Sequence, residues 1–376
     1  MRFADVLGRQ NIKALLAEQV DSGRLPHALL LWGPEGVGKL SLARALAQYV
    51  HCPHRSNGDS CGVCPSCRQH ASLNFPDLSF AFPVPAIKGN KDPLSDDFMD
   101  VYREFLQKHP LAPYSQWLEL SGADNSQPVI RVGESAEIIR KLSMGNYNAG
   151  TKILLLWLPE KMVAAAANKL LKLIEEPQPG RMFIMVSDNP ALILPTVFSR
   201  LQRIKVEAPE AALTARWLTE QGYDADIAKE AAEAAQGNQM MALKMLDEQG
   251  EEAEFRTMFQ ELMRKAYQRN VKALREWSEV AAAMKREKAR RFLAYLAAQI
   301  RTNYLFSLAD NRLTPMMPDD RKFANNFSPF IHSANVENII SLINDARRDI
   351  AGNANAKIVL FDFAVQMIMQ IKVPGK

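Results

Sequence analysis

The sequence predicts an α/β core built on a parallel sheet, followed by two all-helical parts. Three observations carry this. Gly33-Pro34-Glu35-Gly36-Val37-Gly38-Lys39-Leu40-Ser41 is one residue short of the phosphate-loop pattern GxxxxGK[ST], and it lies between an apolar strand at 27–32 and a helix at 42–50. The runs 152–158 and 182–187 are apolar throughout, as strands buried on both faces are. Beyond Pro209 the apolar residues recur at helical spacing. The fold class is therefore α/β and P-loop NTPase-like over 1–207, then all-α over 208–250 and again over 251–376.

Composition narrows the function classes. A length of 376 residues suggests two or three domains. The 46 Lys+Arg against 42 Asp+Glu leave a formal charge of +4, too mild to argue for nucleic acid by itself. Met1-Arg2-Phe3-Ala4-Asp5 shows no apolar run of a secretory signal, and the apolar stretch 358–371 is too short to span a bilayer and contains Asp362. A cytoplasmic protein without membrane partners is expected, in which cysteines favour metal over disulfides.

In chain order, Ile12, Leu15, Leu16 and Val20 predict a helix before the first strand, stopped by Gly23 and Pro26. The loop follows. Its glycines let backbone N–H groups turn toward phosphate oxygens, and its lysine meets phosphate charge. Gly33, Gly36, Gly38 and Lys39 keep ATP binding open, but Leu40 has no oxygen for a metal. Ser41 is one residue late, about 100° round the helix, so no Mg2+ site is expected.

All four cysteines, Cys52, Cys61, Cys64 and Cys67, then fall in one short insert, a module at 52–67. Soft sulfur ligands at C-x2-C spacing suit structural, tetrahedral Zn2+ with no open position; two disulfides or free thiols are the alternative. His51, His54 and His70 read as surface residues. An insertion at about 83–130 holds a short helix with Phe98, Val101, Tyr102, Phe105 and Leu106 on one face, and a loop at 122–128. A helix at 133–144 and the strand 152–158 come next. A working ATPase carries adjacent acids at the end of that strand; here Trp157-Leu158 stand there, and Glu160 lies too far on to serve as base. After an alanine-rich helix at 162–174, the strand 182–187 ends at Ser187-Asp188-Asn189. These residues face a phosphate or merely open a turn before Pro190. Ser199-Arg200 precede a last strand at 202–206.

Several of these marks together resemble the bacterial clamp-loader subunits of the AAA+ class: the loop at 33–41, the cysteine insert after the loop helix, Ala167-Asn168-Lys169-Leu170-Leu171-Lys172 with Glu175-Glu176-Pro177, and Ser199-Arg200. The resemblance implies that 208–250 is a lid, 251–376 an oligomerisation collar, and Arg200 with Ser199 a finger reaching a neighbour's ATP. The usual cysteine after that pair is Leu201. It also implies a hydroxyl at 40, acids at 157 and 158 and an arginine at 240, where this chain has Leu40, Trp157, Leu158 and Met240. That pattern resembles the non-hydrolysing delta-prime branch, a stator of the DNA polymerase III holoenzyme. Its partners would be gamma/tau and delta subunits in a hetero-oligomeric ring and, indirectly, the sliding clamp and primed DNA. The alternative is an ATP-hydrolysing motor of the gamma/tau type; a stand-alone zinc nucleic-acid binder is weaker. In the collar, helices are expected at 255–267, 271–284, 289–308, 336–348 and 357–371, with a linker at 248–254 and a long loop at 310–332. The basic run 285–291 reads as a solvated or paired helix face.

Overall fold

The computed structural model describes residues 1–371 apart from 88, 91, 124–126, 148–149, 248–249, 309–315 and 317, with only the backbone of 318 and 319. Parts of the loops expected at 122–128 and 310–332, and of the linker at 248–254, lie outside the described residues. The chain divides into two units, Met1–Trp217 with Gly237–Met240, and Leu218–Gln236 with Met241–Lys376. The segment 208–250 contributes to both.

The first unit runs α1 (Gln10–Asp21), β1 (Ala28–Trp32), α2 (Lys39–His51), α3 (Pro65–Ala71), β2 (Leu78–Ala81), α4 (Met99–Lys108), α5 (Tyr114–Leu120), α6 (Val132–Ser143), β3 (Lys152–Trp157), α7 (Ala164–Glu175), β4 (Arg181–Ser187), α8 (Pro195–Phe198) and β5 (Gln202–Lys205), and enters α9 (Ala211–Glu220). All five strands pair in parallel in the order β2-β3-β4-β1-β5. Alternate residues serve opposite faces. Leu29, Leu31, Leu155, Trp157 and Ile184 join one core with residues of α1, α2 and α4. Leu30, Leu154, Leu156, Phe183 and Met185 join another with residues of α6 and α7. Burial on both faces is why β1, β3 and β4 are apolar almost without alternation, whereas β5 at the sheet edge keeps only Ile204 buried.

The order sets the site. β1 lies between β4 and β5, and Trp32 is in register with Ser187. The loop after β1 and the turn after β4 therefore leave the sheet side by side, at its carboxyl end, where α/β sheets open a crevice. The insertion packs on the sheet: Tyr102 stacks on Phe82 at 3.8 Å, and the Trp117 indole N–H donates to the Pro83 carbonyl at 2.8 Å. Helix α5 has too short a pattern to stand out in the sequence.

The second unit takes the end of α9, then α10 (Ala225–Ala234), α11 (Gln239–Leu246) from Met241 onward, α12 (Glu251–Tyr267), α13 (Val271–Ala282), α14 (Arg286–Leu308), α15 (Pro318–Phe327), α16 (Val336–Ala351) and α17 (Ala356–Ile371). Phe259, Leu262, Phe292, Leu296, Ile300 and Met367 are among its core residues. Two expectations need correction. Glu251 to Glu254 are not linker but the first turn of α12, where carboxylates suit the positive end of a helix. Residues 318–327 are helical rather than loop: Pro318 is tolerated in a first turn, and Phe323 stacks on Phe327, one turn on, at 5.1 Å. The basic run is paired, Lys288 with Glu254 at 2.6 Å, Arg290 with Glu287 at 2.8 Å and Arg291 with Glu251 at 2.7 Å. No helix among the described residues is long and apolar enough to cross a membrane.

Candidate functional site

β1 feeds the loop at Gly33, and two glycines are needed there for space. A Cβ on Gly33 (φ +155°) would overlap the Val206 carbonyl oxygen, and one on Gly36 (φ +77°) would overlap the Met240 side chain. Lys39 opens α2, but its ammonium does not face an open cradle. Nζ lies 2.7 Å from Asp188 Oδ1 and also donates to the Pro34 carbonyl of the same loop. The lysine side chain is only 3% exposed. The charge that such a lysine offers to phosphate is already met by a carboxylate.

The rest of the loop is equally occupied. Leu40 is buried in the core, and Ser41 Oγ donates to the Pro110 carbonyl at 2.6 Å. Glu35 accepts from the Tyr114 N–H at 2.6 Å, and its carbonyl accepts from Asn238 Nδ2 at 2.8 Å. Met240, buried, covers Gly36. Arg9 donates to the carbonyls of Leu7 at 2.6 Å, of Glu207 at 3.0 Å and of Val37, and burial lowers its pKa to about 10.

At the end of β3 the Trp157 ring is 2% exposed, 5.5 Å from Phe105 and 6.0 Å from Tyr102 by ring centroids. The Leu158 N–H donates to the Val186 carbonyl at 2.8 Å. Neither position offers an oxygen side chain. Glu160 Oε1 accepts from the N–H groups of Asp188 (2.9 Å) and Asn189 (3.0 Å), and burial raises its pKa. It braces the turn that carries Asp188. Of the two readings of that turn, the structure places Asp188 on Lys39.

Arg200 follows α8 at the surface. Its Nε and Nη2 both meet Glu175, the last residue of α7, and Nη1 donates to the Thr196 carbonyl at 2.6 Å and lies 3.4 Å from Ser199 Oγ. Ser199 Oγ is also 3.3 Å from the Thr196 carbonyl. Sequence reading gave Glu175 no role. The available signal was an acid at a helix C-terminus, where the dipole disfavours it.

The sulfurs of Cys52, Cys61, Cys64 and Cys67 lie within 4.8 Å of one another, and none of the four is in a disulfide. Backbone amides point at them: Cys61 N–H to Cys52 Sγ at 3.3 Å, Cys64 N–H to Cys61 Sγ at 3.4 Å and Cys67 N–H to Cys64 Sγ at 3.4 Å. The Val63 and Cys64 amides lower the Cys61 pKa to about 6, while burial raises Cys52. Metal–sulfur bonds of about 2.3 Å in a tetrahedron put sulfurs roughly 3.8 Å apart, so this donor set can hold a metal ion.

His51 and His70 need correction: they are not surface residues. Their Nδ1 and Nε2 atoms lie 2.9 Å apart, and both rings stack on Phe75, at 4.4 and 4.5 Å. His51 Nε2 meets the Thr151 carbonyl at 2.6 Å. A carbonyl only accepts, so Nε2 carries the proton and Nδ1 accepts from His70. Burial lowers both histidines. His54 is exposed.

Residues 8–210, more than half of the chain, match the family model described as DNA polymerase III, delta subunit. The chain belongs to that family. Its clamp-loader relatives include DNA polymerase III subunit delta' of Haemophilus influenzae, 28% identical over 204 residues, covering 54% of this chain and 49% of its own. The delta' subunit of Yersinia pestis is 29% identical over 205 residues, covering 54% and 48%. Subunit gamma/tau of Mycobacterium bovis is 28% identical over 230 residues, covering 60% and 33%. The matched stretch spans about half the length of these delta' relatives and a third of the gamma/tau one. Identity does not separate the two branches, so the site residues must.

Proposed function

We propose that this chain is a non-hydrolysing, delta-prime-type subunit of an AAA+ clamp loader. It holds ATPase neighbours of the gamma/tau type and a delta subunit in a cytoplasmic ring that loads the sliding clamp on primed DNA, with 208–250 as lid and 251–376 as collar. The observation that carries this is the pairing of the buried Lys39 ammonium with Asp188. It stands beside Leu40, Trp157 and Leu158, where metal-holding and water-activating groups would be needed. Met240 on Gly36 adds to it. Arg200, with Ser199, is the residue we assign to a neighbour's ATP. A guanidinium supplied in trans offsets charge on the transferring phosphoryl group and is worth about 10³–10⁵ in rate. In the cysteine module we assign Zn2+, which would supply a structural crosslink through Cys52, Cys61, Cys64 and Cys67.

The test is steady-state ATP hydrolysis by the chain alone and by the reconstituted loader, wild type or Arg200→Ala. We expect no turnover by the chain alone, and a large loss in the assembled variant. Turnover by the pure chain would support the gamma/tau-type motor instead.

A further inference from the structure

We propose that Glu175 is a latch for Arg200, holding the guanidinium on its own chain until a neighbour's phosphate displaces it. This rests on the reading of Arg200 as a residue acting in trans. Guanidinium has five N–H groups in a planar fork. Nε and Nη2 are taken by Glu175, and Nη1 by the Thr196 carbonyl and Ser199 Oγ. No pair of parallel N–H groups is left for a phosphate, which Arg binds through such a fork. Engagement in trans therefore requires release from Glu175.

The latch is well placed to be reversible. Both side chains are partly exposed, 35% for Arg200 and 41% for Glu175, so water screens the pair. Their backbones are fixed: Leu170 and Ile174 of α7 and Val197 of α8 are buried in one core. Glu175 closes the C-terminal turn of α7, where a carboxylate opposes the helix dipole, and the pair with Arg200 offsets that cost. Phosphate carries more charge than a carboxylate and displaces it by mass action once the neighbour is loaded and aligned.

The experiment compares wild type, Glu175→Gln, Glu175→Asp, Arg200→Ala and the Glu175→Gln/Arg200→Ala double variant in the assembled loader. ATP turnover is read at rest and with sliding clamp and primed DNA added. Exposed pairs of this kind shift populations by about two- to five-fold. We expect Glu175→Gln to raise the resting rate by about that factor and leave the stimulated rate near wild type. Salt should raise the wild-type resting rate by screening and leave that of Glu175→Gln flat. Glu175→Asp should restore the low resting rate, and the double variant should match Arg200→Ala. A resting rate unchanged or lowered in Glu175→Gln, while Arg200→Ala loses stimulated turnover, removes the latch and leaves Arg200 in place. Full turnover by Arg200→Ala overturns both.

Discussion

Lys39 and Asp188 tie the loop to the turn after β4: ammonium and carboxylate meet at 2.7 Å, with the lysine 3% and the aspartate 24% exposed. Two segments far apart in sequence are joined there, and each is left with an unmatched charge if the other is removed. Asp188→Ala should lower stability by about 1–3 kcal/mol, less than for a fully buried pair because the aspartate reaches water. Urea unfolding reads this directly. Lys39→Met combined with Asp188→Leu should recover most of the loss, and equal stability of all three chains would sink the idea.

The same pairing bears on nucleotide. Wild type is expected to show no saturable ATP binding in equilibrium dialysis. Asp188→Asn with Met240→Ala removes both the competing carboxylate and the side chain over Gly36, and should gain weak, measurable affinity. Tight binding by wild type would show that the pair opens readily.

Rebuilding hydrolysis by point substitution should fail for a packing reason. Leu40→Thr alone should give no turnover. Trp157→Asp places a charge in a cluster of Tyr102, Phe105 and Trp117, and losing the ring alone costs about 3–5 kcal/mol. The expected outcome is an unfolded or aggregated chain, scored by circular dichroism, not an ATPase.

The cysteine module makes a compositional prediction. Protein purified without chelator should carry close to one zinc per chain by elemental analysis. Cys64→Ser should lose it and melt at lower temperature through loss of the crosslink alone, because a serine hydroxyl can keep the cap that Cys64 gives α3 by accepting from the Cys67 N–H. Zinc far below stoichiometric in freshly purified wild type would exclude the assignment.

Glu134 predicts a pH dependence. Burial pushes its carboxyl up to about 7, against a hydrogen bond from the Ser95 N–H at 2.6 Å that favours the charged form. The folded state then holds a proton that the unfolded chain releases near 4.5. The contribution is fully present below about 4.5 and is lost as pH rises through about 7. Glu134→Gln should remove roughly 2–3 kcal/mol of that pH dependence. Chemical denaturation at pH 5 and pH 8 should show the variant gaining on wild type only at the higher pH.

Much of the core was legible because its signals are local. An apolar run too short for a helix and bounded by Pro26 and Gly33 reads as a buried strand, and Cys61, Cys64 and Cys67 announce a cluster by spacing alone. Arg200 was legible as a residue of interest but not as a paired one, because Glu175 lies on another element. The same holds for Asp188: its partner is fixed by sheet order, which brings β1 beside β4, and no spacing in the sequence encodes that. His51 and His70 were misplaced because a polar ring carries no mark of burial until its contacts are seen, here with the other histidine and with Phe75 stacked against both. Residues 318–327 were misread because prolines at 315, 318 and 329 suggest a loop, whereas Pro318 opens a helix.

Gly33 and Gly36 show how a motif outlives its first use. Any side chain at Gly33 collides with the Val206 carbonyl, and any at Gly36 with Met240. Selection for a well-packed fold would therefore preserve both glycines in lineages that never touch a nucleotide. Across such lineages, drift at 40, 157 and 158 would record lost chemistry, while the glycines alone would keep signalling a function that had gone.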